Sequence, residues 1–390
     1  MKTFSIASPP FLHFGAGKIS DVSLIAKSFG SRVLLITGAN SFLSSAHGGK
    51  LLTEFDASKL DARQYWTNGE PTPAMIDTAV KTFAPFDPHV VVAIGGGSVL
   101  DAGKAISAML RVNEPVKHYL EGVGPQRRHP GTKVPLIALP TTAGTGSEAT
   151  KNAVLAEVGS SGYKKSLRHD NFIPDVAIVD PALTLSCPSS VTAASGMDAF
   201  TQLLESYLST ASNAITDALS FEGLTRINAS LVRVFQEGSN VDERANMSLA
   251  AYLSGVTLAN AGLGTVHGFA SSIGGFFDIP HGVICSTLMA PVNKLTVLNL
   301  RAQDPRHPSL SKYETVGKIF NPATNKPNGY YTDYLLALIE KWAAEMKIPT
   351  LSSFGVCRSD FPKIVAHTSN KNNPAVLDND ELTKALMMAG

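Results

Sequence analysis

PHVVVAIGGGSVLDAGKAISAML (88–110) is the stretch that decides the fold. Its first half is a valine-rich apolar run that stops at three glycines. Its second half has helical spacing and good helix formers. A continuous apolar run, unlike an alternating one, suits a strand covered on both faces, as in a parallel sheet. Working outward, SRVLLITG (31–38), KVPLIALPTT (133–142) and PDVAIVDP (174–181) are runs of the same kind, and MIDTAVKTFAPF (75–86) is an amphipathic helical stretch between the first two strands. Strand–helix–strand repetition at roughly 30 residues per unit predicts a doubly wound α/β domain. Near residue 188 the character changes. From SSVTAASGMDAFTQLLESYLS onward, long Ala/Leu/Ser-rich helical segments dominate, among them 215–238 and 242–262, and no strand-rich segment follows. DPALTLSCPSS carries turn signals, which predicts an α/β domain over 1–185 and an all-helical domain over 186–390. TSNKNNPAVLDND (368–380) reads as a polar loop before a final helix.

Composition narrows the function classes. The 390 residues carry 33 Lys plus Arg against 32 Asp plus Glu, a net charge of +1. That balance offers no global electrostatic attraction to nucleic acid or to an anionic membrane surface. With 44% hydrophobic and 17% charged residues the chain is globular in composition. No uninterrupted apolar stretch of about 18 residues occurs, so no membrane span is expected. Cys187, Cys285 and Cys357 form no C-x-x-C pair, which argues against a disulfide framework and a sulfur-bound structural zinc. Cys285 reads as a small hydrophobe packed in a helix. The N-terminal MKTFSIASPPFLHFGAG is a poor signal peptide, and a cytoplasmic protein is expected.

Three places could carry chemistry. In GGGSVLDAGK (95–104), Gly95, Gly96 and Gly97 end a buried strand and Ser98 opens a helix. Glycine lets the backbone approach a ligand, and a helix start presents N–H groups to a phosphate. The same triplet also serves as a plain turn, and the spacing is neither a Walker loop nor G-x-G-x-x-G. PTTAGTGSEAT (140–150) follows another strand end and supplies hydroxyls from Thr141, Thr142, Thr145 and Ser147; a polar surface loop is the alternative. In the helical half, Asp198 and Gln202 lie four residues apart on one face, with His267 in GLGTVHGFASSIGG and His281 in FDIPHGV. A carboxylate with imidazoles suits Zn²⁺ or Fe²⁺, although a helix-capping Asp and hydrogen-bonded core histidines would read the same way.

GGGSVLDAGK, PTTAGTGSE, VDPALT, GMDAFTQLLESYLS, GLGTVHGFA and DIPHGV occur in the order found in the iron-containing (group III) alcohol dehydrogenases, and from about Pro10 to the final helix the chain resembles that family. The resemblance implies a Rossmann-like dinucleotide-binding domain followed by an all-α domain that holds a divalent metal, Fe²⁺ or Zn²⁺, with the substrate in the cleft between them. It implies an NAD(P)-dependent oxidoreductase that interconverts a small alcohol and an aldehyde or ketone, and a homodimer. By position, Gly95, Gly96, Gly97 and Ser98 would hold the pyrophosphate; Asp101, Thr141, Thr142 and Ser147 would line the nucleotide path; Lys164, or Lys165 by a slip of one, would lie near the ribose. Many NAD-preferring members carry an acid at the end of the first strand. Here the sequence is ITGANS: Gly38 would not repel a 2′-phosphate, and Asn40 and Ser41 could donate to it, which points to NADP. The implied metal set is Asp198, Gln202, His267 and His281. Gln202 and Ser271 depart from the family, which has histidines at both positions. Gln202 could ligate through oxygen, the other three could bind metal with a water, or metal could be absent, as in the maleylacetate reductase branch. A dehydroquinate-synthase-like lyase and a catalytically silent dinucleotide binder are further alternatives.

Overall fold

The apolar runs become parallel strands. In the computed structural model, which describes residues 3–39 and 42–390, the chain runs through β1 (Phe11–Phe14), α1 (Val22–Phe29), β2 (Arg32–Gly38), α2 (Ala46–Ala57), β3 (Asp61–Thr67), α3 (Pro73–Phe83), β4 (Val90–Gly95), α4 (Gly97–Met109), β5 (Leu136–Pro140), β6 (Asn152–Glu157), β7 (Tyr163–Arg168) and β8 (Val176–Val179). Six of these strands form one sheet in the order β1-β8-β5-β4-β2-β3, every neighbouring pair parallel. β4, β5 and β8 are buried along their whole length, as two-sided cover requires. Their side chains join Val33, Leu35, Leu51 and Phe55 in one core. Each fully buried Val, Leu or Ile there is worth roughly 1.5–3 kcal/mol of transfer free energy.

β1, β3 and the separate β6–β7 pair were not expected from the sequence. β3, DARQYWT, is an edge strand with an exposed, polar pattern. FLHF of β1 is only four residues long and pairs with β8, more than 160 positions away in sequence. Neither carries the apolar run by which the central strands declare themselves.

The helical half follows: α5 (Ser189–Leu208), α6 (Ala214–Gln236), α7 (Val241–Ala261), α8 (Thr265–Phe276), α9 (His281–Gln303), α10 (Pro308–Phe320), α11 (Tyr330–Glu345), α12 (Phe361–Ala366) and α13 (Asn379–Ala389). Side chains set several of the helix starts. Asn213 and Thr216 form a capping box on α6, and Asp378 and Glu381 one on α13. α9 is long and apolar enough to cross a bilayer by length and composition, yet 78% of its most apolar window is buried; that hydrophobicity faces Ile273, Leu351, Ile364 and Leu386 in the core. Residues cluster into two units: 7–157 with 164–187, and 188–390 with 158–163 and the N-terminal residues up to Ile6.

His129 gives the first unit a pH-sensitive seat. It is 4% exposed and lies between the rings of Tyr119 and Phe172, with centroids 5.0 and 4.8 Å away. Its Nδ1 accepts the Gly131 N–H at 3.0 Å. Burial, then the nearby His169, lowers its pKa from 6.5 to about 4. Between those values the unfolded chain binds the proton and the folded chain does not, so stability falls as pH drops through that window. Urea unfolding followed at pH 7 and pH 4.5 should show a loss of up to about 3 kcal/mol from this group, and His129→Leu should remove that share of the slope.

Candidate active site

The parallel sheet brings the glycine and threonine loops to one edge. Thr37 of β2 is in register with Ile94 of β4, and Gly95 of β4 with Pro140 of β5. Gly38, the 95–98 turn and Thr141–Thr142 therefore all emerge at the carboxyl ends of adjacent strands. The chain steps from β2 outward to β3, then crosses back to β4 on the other side of β2. That reversal is the switch point where open α/β sheets take ligands. Gly96 caps α4 in extended conformation with no side-chain cap, and no acid occupies the first turn. The first N–H groups of α4 thus face the edge with the positive end of the helix dipole. The loops touch: Thr141 N–H donates to the Gly95 carbonyl at 2.9 Å, and a Cβ on Gly97 would sit 2.6 Å from Thr145 Cγ2.

Asp101 plays a different part from the one its sequence position implied. One carboxylate oxygen accepts from Ser147 Oγ at 2.5 Å and lies 3.2 Å from Lys104 Nζ; the other accepts the Val154 N–H at 3.1 Å. Asp101 and Ser147 are spent on each other and hold the two loops in place. Lys104 is fully buried, donates to Thr150 Oγ1 at 2.6 Å and also to the Asn152 carbonyl, and has a pKa lowered chiefly by burial. Burial pushes the neighbouring Glu148 up to about 7. Lys164 on β7 is buried and paired with Glu70 at 2.9 Å, just beyond the end of β3, while Lys165 is exposed. Glu70 went unnoticed in the sequence, where NGEPTP reads only as a turn. Asn40 and Ser41 lie outside the described residues.

The second cluster lies in the helical unit. Asp198 and Gln202 sit one turn apart on α5, His267 in the first turn of α8, and His281 at the first position of α9. α7 and α8 meet at a 98° bend, which aims the start of α8 at α5. Gly264 in that bend has no room for a side chain, since a Cβ would come within 2.8 Å of Glu205 Oε1. Glu205 uses the space. It accepts the Val266 N–H at 2.7 Å through one oxygen and lies 2.7 Å from His267 Nδ1 through the other. A proton on Nδ1 satisfies that carboxylate and leaves Nε2 as the ring nitrogen directed at the cluster. His267 Nε2 and His281 Nε2 then stand 3.4 and 3.8 Å from Asp198 Oδ1. Glu205 was missed because an acid in TQLLESYL looks like an ordinary helix residue.

Two expectations about side chains change. Gln202 does not offer its amide oxygen to the cluster: that oxygen accepts from Ser254 Oγ at 3.1 Å, and its Nε2 donates to Asp198 Oδ2 at 3.3 Å. Cys285 is more than core filler, with Sγ 3.6 Å from His267 Nε2 and 3.7 Å from His281 Nε2. Ser271 spends its hydroxyl on the His267 carbonyl at 2.8 Å. Burial opposes ionisation of Asp198, but His281 and His267 outweigh it and hold its pKa below the usual value. Burial also opposes protonation of His267, yet the Cys285 sulfur, Glu205 and Asp198 raise its pKa well above 6.5. Burial pushes the Cys285 thiol up to about 12. Asp198 Oδ1, in a residue 1% exposed, has no hydrogen bond of acceptable geometry. A buried carboxylate oxygen without a donor is costly. Surrounded by two imidazole nitrogens and a sulfur, it fits a divalent cation.

The chain matches known proteins along nearly its whole length. The family model described as "Iron-containing alcohol dehydrogenase" matches residues 9–181, and that described as "Fe-containing alcohol dehydrogenase family, C-terminal" matches 192–389. Alcohol dehydrogenase 4 of Saccharomyces cerevisiae is 34% identical over 284 residues, 73% of each chain. The NADPH-dependent butanol dehydrogenase of Clostridium saccharobutylicum is 28% identical over 390 residues, 96% of this chain and 95% of that one. The crystal structure of a 1,3-propanediol oxidoreductase superposes with a TM-score of 0.89 at 27% identity, covering all of both chains.

Removing the carboxylate behind His267 tests the cluster. Glu205→Gln should lower affinity for added Zn²⁺ by about 10–100-fold, read by competition with a chromophoric chelator, while the circular dichroism spectrum stays unchanged.

Proposed function

The chain belongs to the iron-containing alcohol dehydrogenase family, and from that premise we propose how its residues share the work of NAD(P)-dependent interconversion of a small alcohol and its carbonyl compound. The observation that carries the reading is the buried, donor-less Asp198 Oδ1 facing two imidazole nitrogens. Asp198, His267 and His281 hold the divalent cation. When bound there, a cation supplies Lewis acidity toward a substrate oxygen. The nicotinamide cofactor supplies or accepts the hydride.

The remaining tasks fall to the protein. Glu205 fixes the His267 tautomer that leaves Nε2 available. Gln202 and Ser254 form a relay of hydrogen bonds that turns Asp198 Oδ2 away from the cluster and Oδ1 into it. The N–H groups of Gly97 and Ser98 bind phosphate oxygens at the start of α4. Thr141 and Thr142 flank the nucleotide, and Lys164, with its charge held by Glu70, lies near the ribose. Asp101, Lys104 and Ser147 keep this edge rigid. β2 ends in Gly38, where no carboxylate repels a 2′-phosphate, so NADP(H) is the preferred cofactor.

NADPH consumption with short aldehydes and ketones tests the reaction. Net turnover is expected, together with a loss of more than about 100-fold in kcat for Asp198→Ala and for metal-stripped protein. Full kcat after complete metal removal would exclude the metal role, and cofactor binding without net turnover would point to the lyase or a silent binder. For cofactor choice, Gly38→Asp should move the ratio of kcat/KM for NADPH over NADH at least about tenfold toward NADH, a change of about 1.4 kcal/mol.

A further inference from the structure

Cys285 stands one helical turn after His281 on α9, so the two side chains share a face. Its sulfur joins Asp198 Oδ1, His267 Nε2 and His281 Nε2 in a group whose ligand atoms all lie within 4.8 Å of one another. Bonds of about 2.0–2.1 Å to nitrogen and oxygen and about 2.3 Å to sulfur, at tetrahedral angles, place N and O about 3.3 Å apart and S and N about 3.6 Å apart. The corresponding separations are 3.4 and 3.8 Å for nitrogen to oxygen, and 3.6 and 3.7 Å for sulfur to nitrogen. These spacings already approximate a tetrahedron before any ion draws them together. The residue from which a fourth ligand was expected, Gln202, has its amide oxygen occupied by Ser254.

We propose that Cys285 is the fourth protein ligand of the metal, binding as a thiolate beside Asp198, His267 and His281, and that this sulfur selects zinc over iron. The proposal rests on the metal reading above. On binding, the S–H bond breaks, a metal–sulfur bond forms, and the thiol proton and the one on His267 Nε2 leave to buffer; nothing is oxidised or reduced. With two anionic and two neutral ligands the site holds a dication at zero net charge, whereas an amide in place of the sulfur would leave one positive charge. Thiolate is a soft ligand and four-coordinate tetrahedral geometry suits zinc, which would expand to five-coordinate to take a substrate oxygen. The added negative charge also tempers the Lewis acidity that the cation presents to a substrate.

The test uses the full chain, stripped of metal and refilled with Co²⁺ or Zn²⁺. The expected result is one metal per chain, a near-ultraviolet sulfur-to-cobalt charge-transfer band, and in the zinc protein a single sulfur scatterer at about 2.3 Å by X-ray absorption. Cys285→Ser should lose the band and weaken Zn²⁺ binding by more than about 100-fold, whereas Gln202→Met should keep the band. Stoichiometric metal with no sulfur scatterer overturns the ligand assignment and leaves the metal reading standing. No metal uptake by the wild-type chain overturns both. Should Cys285→Ser fail to fold, the absorption spectrum of the wild-type protein decides alone.

Discussion

Taking the Asp198 carboxylate out of water is the cost around which the helical unit is arranged. An isolated buried carboxylate is several kcal/mol unfavourable unless charge and hydrogen bonds compensate it. Here one oxygen accepts from Gln202 and the other faces His267, His281 and Cys285. Each of those neighbours needs its own support. The bend between α7 and α8 delivers His267, Gly264 makes room for Glu205, and Glu205 anchors the imbedded imidazole from behind. Breaking any of these contacts leaves a charge or a lone pair stranded in a dry interior.

The α/β unit solves a different problem with different means. It has to present backbone N–H groups at a sheet edge without letting the loops collapse onto them. Parallel register aligns the strand ends, with β4 and β5 fully buried behind them. The Asp101–Ser147–Lys104 group then ties the two loops to β6 from beneath. Polar residues thus serve as struts here, whereas in the helical unit they converge on one point.

Much of this was legible in the order of residues, and what was not has physical reasons. The central strands were visible because two-sided burial demands unbroken apolar runs, and α6 and α7 because they are long Ala/Leu/Ser-rich segments. β1 and β3 were hidden because an edge strand needs neither a run nor an alternation. Asp198, His267 and His281 were found through the motifs around them. Glu205 and Glu70 were not, since their partners lie about 60 and 94 positions away and no local pattern reports such a meeting, whereas Cys285 stands one helical turn after His281, a spacing that carries the contact but was read as packing. Gln202 was read as a donor to the cluster because its position suggested it; only Ser254, 52 residues further on, shows where its oxygen goes.

The ion pair of buried Lys104 with half-buried Asp101 bears on how this chain can diverge. Losing Asp101 alone strands the fully buried Lys104 ammonium without its carboxylate, at a cost of about 3–5 kcal/mol, whereas exchanging both for well-packed apolar residues can be neutral. The order of loss therefore matters: the carboxylate cannot go before the lysine, and descendants are not expected to keep Lys104 without Asp101.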